Sequence, residues 1–265
     1  MDWLVVTTFA FVIILEIAIP LGLGYWFKRK LGVSWVIFGL GAGFFVAVQI
    51  FHTPLVLLTE GPLYQFLLQT LGNVNAAIIG LALYLGLLAG LFEEIGRYLV
   101  YQYWFARRSI ALSRENGLMF GTGWGGIESI FVAFLLLITM INYIVVSSTP
   151  GILSLIANDT AAQQQVLALL QLTPLDILPG LFERIMTITL QIAFSLMVLA
   201  SVVYRQYSLL AVAVVWHAAV DFFAVYLGQT VGILPAELSL FAFWIAGVAY
   251  ILWEWRRMGA RQPAT

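Results

Sequence analysis

Glu93, Glu94 and Arg97 stand in the stretch GLFEEIGRYLVYQYW, residues 90–104, inside sequence otherwise suited to a membrane interior. At spacings of four and three residues, Arg97 can neutralise one carboxylate and leave the other available. His217 and Asp221, in WHAAVDFF, share a helical face, so a ring nitrogen and a carboxylate can reach one divalent cation. Glu128 closes the glycine-rich run GTGWGGIE. There Gly121 and Gly125, like Gly86 and Gly90, have the small-xxx-small spacing that lets membrane helices approach closely. Each feature has a plainer alternative. A Glu–Arg pair can staple a bundle, a lone intramembrane His can be a packing residue, and glycine-rich faces pack. Glu16 stands alone on the first span, and Glu183–Arg184 reads as a snorkelling or structural pair.

Depth joins these residues. Glu93 lies 14 positions from Arg107, Glu128 14 from Arg114, Gln191 14 from Arg205 and His217 12 from Arg205. At about 1.5 Å per residue, each sits roughly 18–21 Å along its helix from a cationic end. Ionisable side chains inside spans are costly and face bundle interiors or wet cavities. Four spans carrying polar groups to one level therefore predict a single mid-membrane site. His52, 22 positions beyond Lys30, reads as lying near the opposite face, too far to join His217.

The elements that must hold such a site are membrane helices. The 265 residues are 62% apolar and 9% charged, against about 25% charged in soluble domains, which makes the chain a polytopic membrane protein in contact with the lipid bilayer. A net charge of −1 gives no basic field for nucleic acid, and the absence of cysteine excludes disulfides and thiolate chemistry. Seven segments are apolar over about 20 residues: 3–27, 32–58, 75–105, 117–146, 177–204, 208–228 and 236–256. The first reads as a retained helix because it lacks the basic start of a signal peptide. All Lys and Arg of the connections fall on one side: Lys28–Lys30, Arg107, Arg108, Arg114, Arg205, Arg256, Arg257 and Arg261. The positive-inside rule then places the N-terminus outside and the C-terminus in the cytoplasm. Residues 59–73 and 147–175 form the longer outer connections, each expected to contain a short surface helix. The expectation is an all-α bundle, with one integral-membrane domain over residues 1–265.

EEIGR (Glu93–Arg97) resembles the E-E-x-x-R signature of YhfC-type intramembrane metalloproteases, relatives of the CAAX-protease and bacteriocin-processing group and of the APH-type gamma-secretase subunit. GTGWGGIES resembles the family's G-x-G-H-G-G-I-E segment with Glu128 in register. ERIMTITLQIAFSLMV resembles its E-R…H-x-x-x-S helix with Ser195 in register, and WHAAVDFF its H-x-x-x-[DN] motif. The resemblance runs from about residue 30 to 225. It implies a bacterial cytoplasmic-membrane hydrolase acting on a membrane protein or peptide. Glu93 or Glu94 would be the base that activates a water, with Arg97 as the orienting partner of that glutamate. His217 and Asp221 would hold zinc or another divalent metal, and polar neighbours would steady the oxyanion. Trp124 and Gln191 stand where that pattern commonly has His. An oxygen-rich set with one imidazole suits a harder ion, or none. Two functions therefore stay open: a metalloprotease homologue with hydrolysis weakened or lost, and a non-catalytic scaffold or assembly subunit. A retinal protein is set aside because the only lysines, Lys28 and Lys30, lie in a connection. A transporter finds no inverted repeat.

Overall fold

In lipid, backbone polar groups must be satisfied within the segment itself, which selects helices for long apolar runs. A computed structural model describes residues 1–260, and Arg261 lies outside them. The helices are α1 Trp3–Leu31, α2 Trp35–Leu71, α3 Val74–Leu99 continuing as a π-helical segment Val100–Phe105, α4 Arg114–Ser148, α5 Ile152–Leu155, α6 Thr160–Leu170, α7 Pro174–Tyr204, α8 Tyr207–Thr230 and α9 Ile233–Gly259. Seven of these are long and apolar enough to cross a membrane. They are the seven expected spans, most of them longer by a few residues. Polar side chains fix several starts: Asp2, Ser34, Asn73 and Ser113 each accept from a backbone N–H of the first turn. Gly32 and Gly72 end α1 and α2 in the left-handed conformation.

One connection differs from expectation. Residues 59–71 carry no separate surface helix; they prolong α2 without a break through Pro54 and Pro62. Proline is tolerated in membrane helices because neighbouring groups re-satisfy the backbone. The extension is tied to its neighbour at Thr59, whose hydroxyl donates to the Leu55 carbonyl (2.6 Å) and lies 2.7 Å from the Tyr84 hydroxyl of α3. Residues 147–175 do contain two short helices, α5 and α6. At one end of the bundle Arg114 donates to the Trp255 carbonyl (2.5 Å) and Arg257 to Gln206 (3.5 Å). The start of α4, the α7–α8 turn and the end of α9 therefore meet there.

The central helix is α7. In its most apolar stretch 78% of residues are buried, against at most 39% in any other span, and it touches α1, α3, α4, α8 and α9. A helix apolar on all sides is expected at such a position. Glycines set how closely the others approach. A Cβ on Gly90 would lie 2.6 Å from the Val214 carbonyl oxygen of α8, and one on Gly86 would strike the Ala218 carbonyl. Gly121 and Gly125 meet α7 in the same way, at Ile192 and Gln191. These two pairs bring His217 to α3 and Gln191 to α4.

Gly90→Ala is accordingly expected to destabilise the protein by about 1–3 kcal/mol, the usual penalty of overpacking. Gly43→Ala in α2, where a Cβ would meet nothing within 4 Å, should be neutral or stabilising by up to about 1 kcal/mol. Thermal unfolding in detergent compares the two directly. Equal midpoints would mean that the α3–α8 approach does not limit stability.

Candidate functional site

Arg97 is the hub. Its side chain is fully buried, and α3 places it one turn beyond Glu93 and Glu94. One terminal nitrogen donates to Glu94 Oε1. The other donates to Glu93 Oε2 (3.1 Å) and to Gln191 Oε1 of α7. The guanidinium lies 4.4 Å from the Trp124 ring centroid, within cation–π range. Around it, α4 contributes Trp124 and Glu128, α7 contributes Gln191, and α8 contributes His217 and Asp221. Contacts join the polar groups of these helices into one network.

Glu93 accepts from four donors. Its Oε2 accepts from Arg97, from Trp124 Nε1 at 2.9 Å and from Gln191 Nε2 at 3.3 Å. Its Oε1 accepts from Gln49 Nε2 at 3.3 Å. Glu128 is held between Arg184 Nη1 at 3.1 Å and Gln191 Nε2 at 2.7 Å. Glu94 Oε1 faces His217 Nδ1 at 2.6 Å, while His217 Nε2 lies 3.7 Å from Asp221 Oδ2. Phe194 stacks on the imidazole with centroids 4.8 Å apart. Glu94 Oε2 and Arg97 Nε are buried and have no hydrogen-bond partner among the described residues.

Three members were not expected from sequence. Gln49 was missed, although it lies 14 positions beyond Trp35, where α2 starts (49 − 35). Counting from the helix start rather than from Lys30 puts it at the common level. His52, expected to lie too far away to join His217, meets the network elsewhere: its Nδ1 is 3.0 Å from Gln49 Oε1, two contacts from Glu93. Arg184 follows the structural-pair alternative rather than the snorkelling one: it is buried and pairs with Glu183, and beyond expectation with Glu128. Glu16 stays apart from the hub, fully buried, with Ser129 Oγ donating to its backbone carbonyl at 2.8 Å.

Two recesses reach the network. A groove of about 480 Å³ between α2 and α4 has apolar walls, Phe45, Ile50, Phe131 and Leu135 among them, and ends on Glu93 and Glu128. A cavity of about 650 Å³ at α4, α7, α8 and α9 meets Glu128 from the other side and includes Asp221 and Arg184.

A family model described as YhfC intramembrane metalloprotease matches residues 15–239, a span that contains every residue of the network. The chain belongs to the YhfC family. An uncharacterized membrane protein YhfC of Bacillus subtilis (strain 168) is 34% identical over 207 residues, 76% of this chain and 76% of that protein. No solved structure matches. The helical membrane bundle is thus that of a YhfC protein.

The YhfC description implies a metal, and the donor set of this chain does not fit a catalytic one. Among the described residues no group of three His, Asp or Glu is placed to hold an ion. Glu93 and Glu128 have donors on both oxygens. Glu94 Oε2 is without a donor, but Glu94 meets His217 at Nδ1, whereas Asp221 lies toward Nε2. The ring divides the two carboxylates, and Nε2 has only Asp221 beside it among the described residues, where catalytic zinc takes three protein ligands. Trp124 and Gln191 present N–H groups to Glu93, and an N–H donates but cannot coordinate.

Proposed function

We propose that this YhfC-family protein has lost metal-dependent hydrolysis. Its polar centre instead holds the bundle in the shape that receives a membrane-embedded peptide segment of another protein. One observation carries this reading: three N–H donors, from Arg97, Trp124 and Gln191, converge on Glu93 Oε2. In the family pattern two of those positions are histidine, whose ring nitrogens can bind a cation. The replacements supply positive hydrogen atoms where a cation would otherwise balance the carboxylate. Glu93 Oε2 is then fully engaged, so only Oε1, which already accepts from Gln49, is left to face a water. The α2–α4 groove supports the second half of the reading, since its apolar walls suit a transmembrane segment and its polar end suits a backbone or side-chain donor. The cationic loops support an orientation with the C-terminus in the cytoplasm.

The test is elemental analysis of the purified protein beside His217→Ala, together with cleavage assays on membrane peptides. We expect well below about 0.1 equivalent of any divalent metal, against the one equivalent of a working site, and no turnover. Metal near one equivalent that disappears in His217→Ala would overturn the proposal. It would mean that the 3.7 Å His217–Asp221 pair still serves as a ligand pair.

A further inference from the structure

A row of residues four apart drifts around an α-helix by about 40° per step, because one turn takes 3.6 residues. Leu91, Ile95, Leu99, Tyr103 and Arg107 form such a row on α3 and its continuation. Four α-helical steps would carry Arg107 about 160° away from Leu91. Val100–Phe105, however, is π-helical. Bonds from i to i+5 widen the turn beyond four residues, so steps of four there fall short and the drift reverses. The row stays on one side, and all five residues line a single groove against α2.

That groove has a volume of about 760 Å³, and among the described residues Arg107, at one end, is its only charged lining residue. Arg108 lies beside it, 5.4 Å from the Trp104 ring centroid. From Arg107 to Leu91 the row runs about 24 Å. One leaflet's acyl layer is roughly 15 Å deep, half of a core about 30 Å thick, so the row spans that layer and reaches the headgroup level. A slender hydrocarbon chain fits. We infer that the α2–α3 groove binds an anionic glycerophospholipid, with its phosphate on Arg107 and an acyl chain along the Leu91–Tyr103 row. Charge complementarity selects the headgroup: one end of the groove is cationic and no acidic residue lines it. The π-helical segment then has a purpose, which is to keep the cationic end in line with the apolar wall. This site is separate from the Glu93 network and does not depend on the loss of hydrolysis.

Native mass spectrometry tests it, on protein released from nanodiscs containing equal amounts of phosphatidylglycerol and phosphatidylcholine. Three proteins are compared: the parent, Arg107→Gln, and Arg29→Gln, which removes the same charge from the end of α1. The parent should retain phosphatidylglycerol over phosphatidylcholine by about fivefold, the effect of one basic residue at an anionic membrane surface. Arg29→Gln should keep that preference and Arg107→Gln should lose it. Equal retention of the two lipids by the parent would overturn the inference. So would an Arg107→Gln variant with undiminished preference, or bound second copies of the chain in place of lipid.

Discussion

A Trp124→His, Gln191→His double variant is expected to bind about one equivalent of zinc, where the parent binds far less. Both replaced side chains donate to the same oxygen, Glu93 Oε2. Imidazoles at those two positions would therefore converge on that carboxylate and complete a set of two nitrogens and one oxygen. The change also removes the competitors, namely the indole N–H, the amide that bridges Glu93 to Glu128, and the amide oxygen that accepts from Arg97. Stability should separate the metal-free and metal-bound forms. Trp124 is the largest fully buried side chain, and truncating a buried Trp to Ala costs about 3–5 kcal/mol, so the smaller step to His should cost somewhat less. Added zinc at 100 times its dissociation constant would restore about 2.7 kcal/mol. Glu93→Gln in the double-variant background should abolish both the metal and the recovery. If the double variant stays metal-free at saturating zinc while remaining folded, Trp124 and Gln191 do not stand in for metal ligands. The proposed route to loss of hydrolysis would then fail.

The same two residues mark what the sequence could and could not disclose. Spans were legible because lipid imposes a single demand, about 20 apolar residues, and cations end each run. The α2 extension was not, since Gly61 and Pro62 carry the signals of a turn. They are overridden by a helix that continues along α3, where Thr59 meets Tyr84. The depth count gathered Glu93, Glu128, Gln191 and His217 because each anchor lies close to the start or end of its own helix. It passed over Gln49 because Lys30 belongs to α1, and residues 32–34 separate the two helices. Arg184 escaped for another reason. Its 21 positions from Arg205 put it well above Glu128 (205 − 184), and a long side chain between crossing helices closes that gap. Periodicity shows which residues share a face of one helix, but not which faces of two helices meet. Here the glycines settle that second question, with Gly86 and Gly90 set against α8 and Gly121 and Gly125 against α7.

Arg97→Ala should be the most damaging single substitution in the bundle. Removing one partner of a buried ion pair leaves an uncompensated charge and costs about 3–5 kcal/mol. Arg97 is partner to two carboxylates, Glu93 and Glu94, and neither is solvated. The loss also strands Gln191 Oε1 and uncovers the face of Trp124. At roughly 2–4 °C per kcal/mol for a chain of this size, the unfolding midpoint in detergent should fall by about 6–20 °C. Arg97→Lys should recover only part of this, because a single ammonium cannot reproduce two terminal nitrogens that face different helices. The decisive comparison is Arg97→Met combined with Glu94→Gln, which removes the guanidinium and one carboxylate together. If electrostatics governs the site, that double variant will be more stable than Arg97→Met alone, a coupling of about 1–3 kcal/mol between contacting residues. Additive losses would mean instead that Arg97 matters through its packing against Trp124 and Phe194. The charges at mid-membrane would then be tolerated by the bundle rather than organising it.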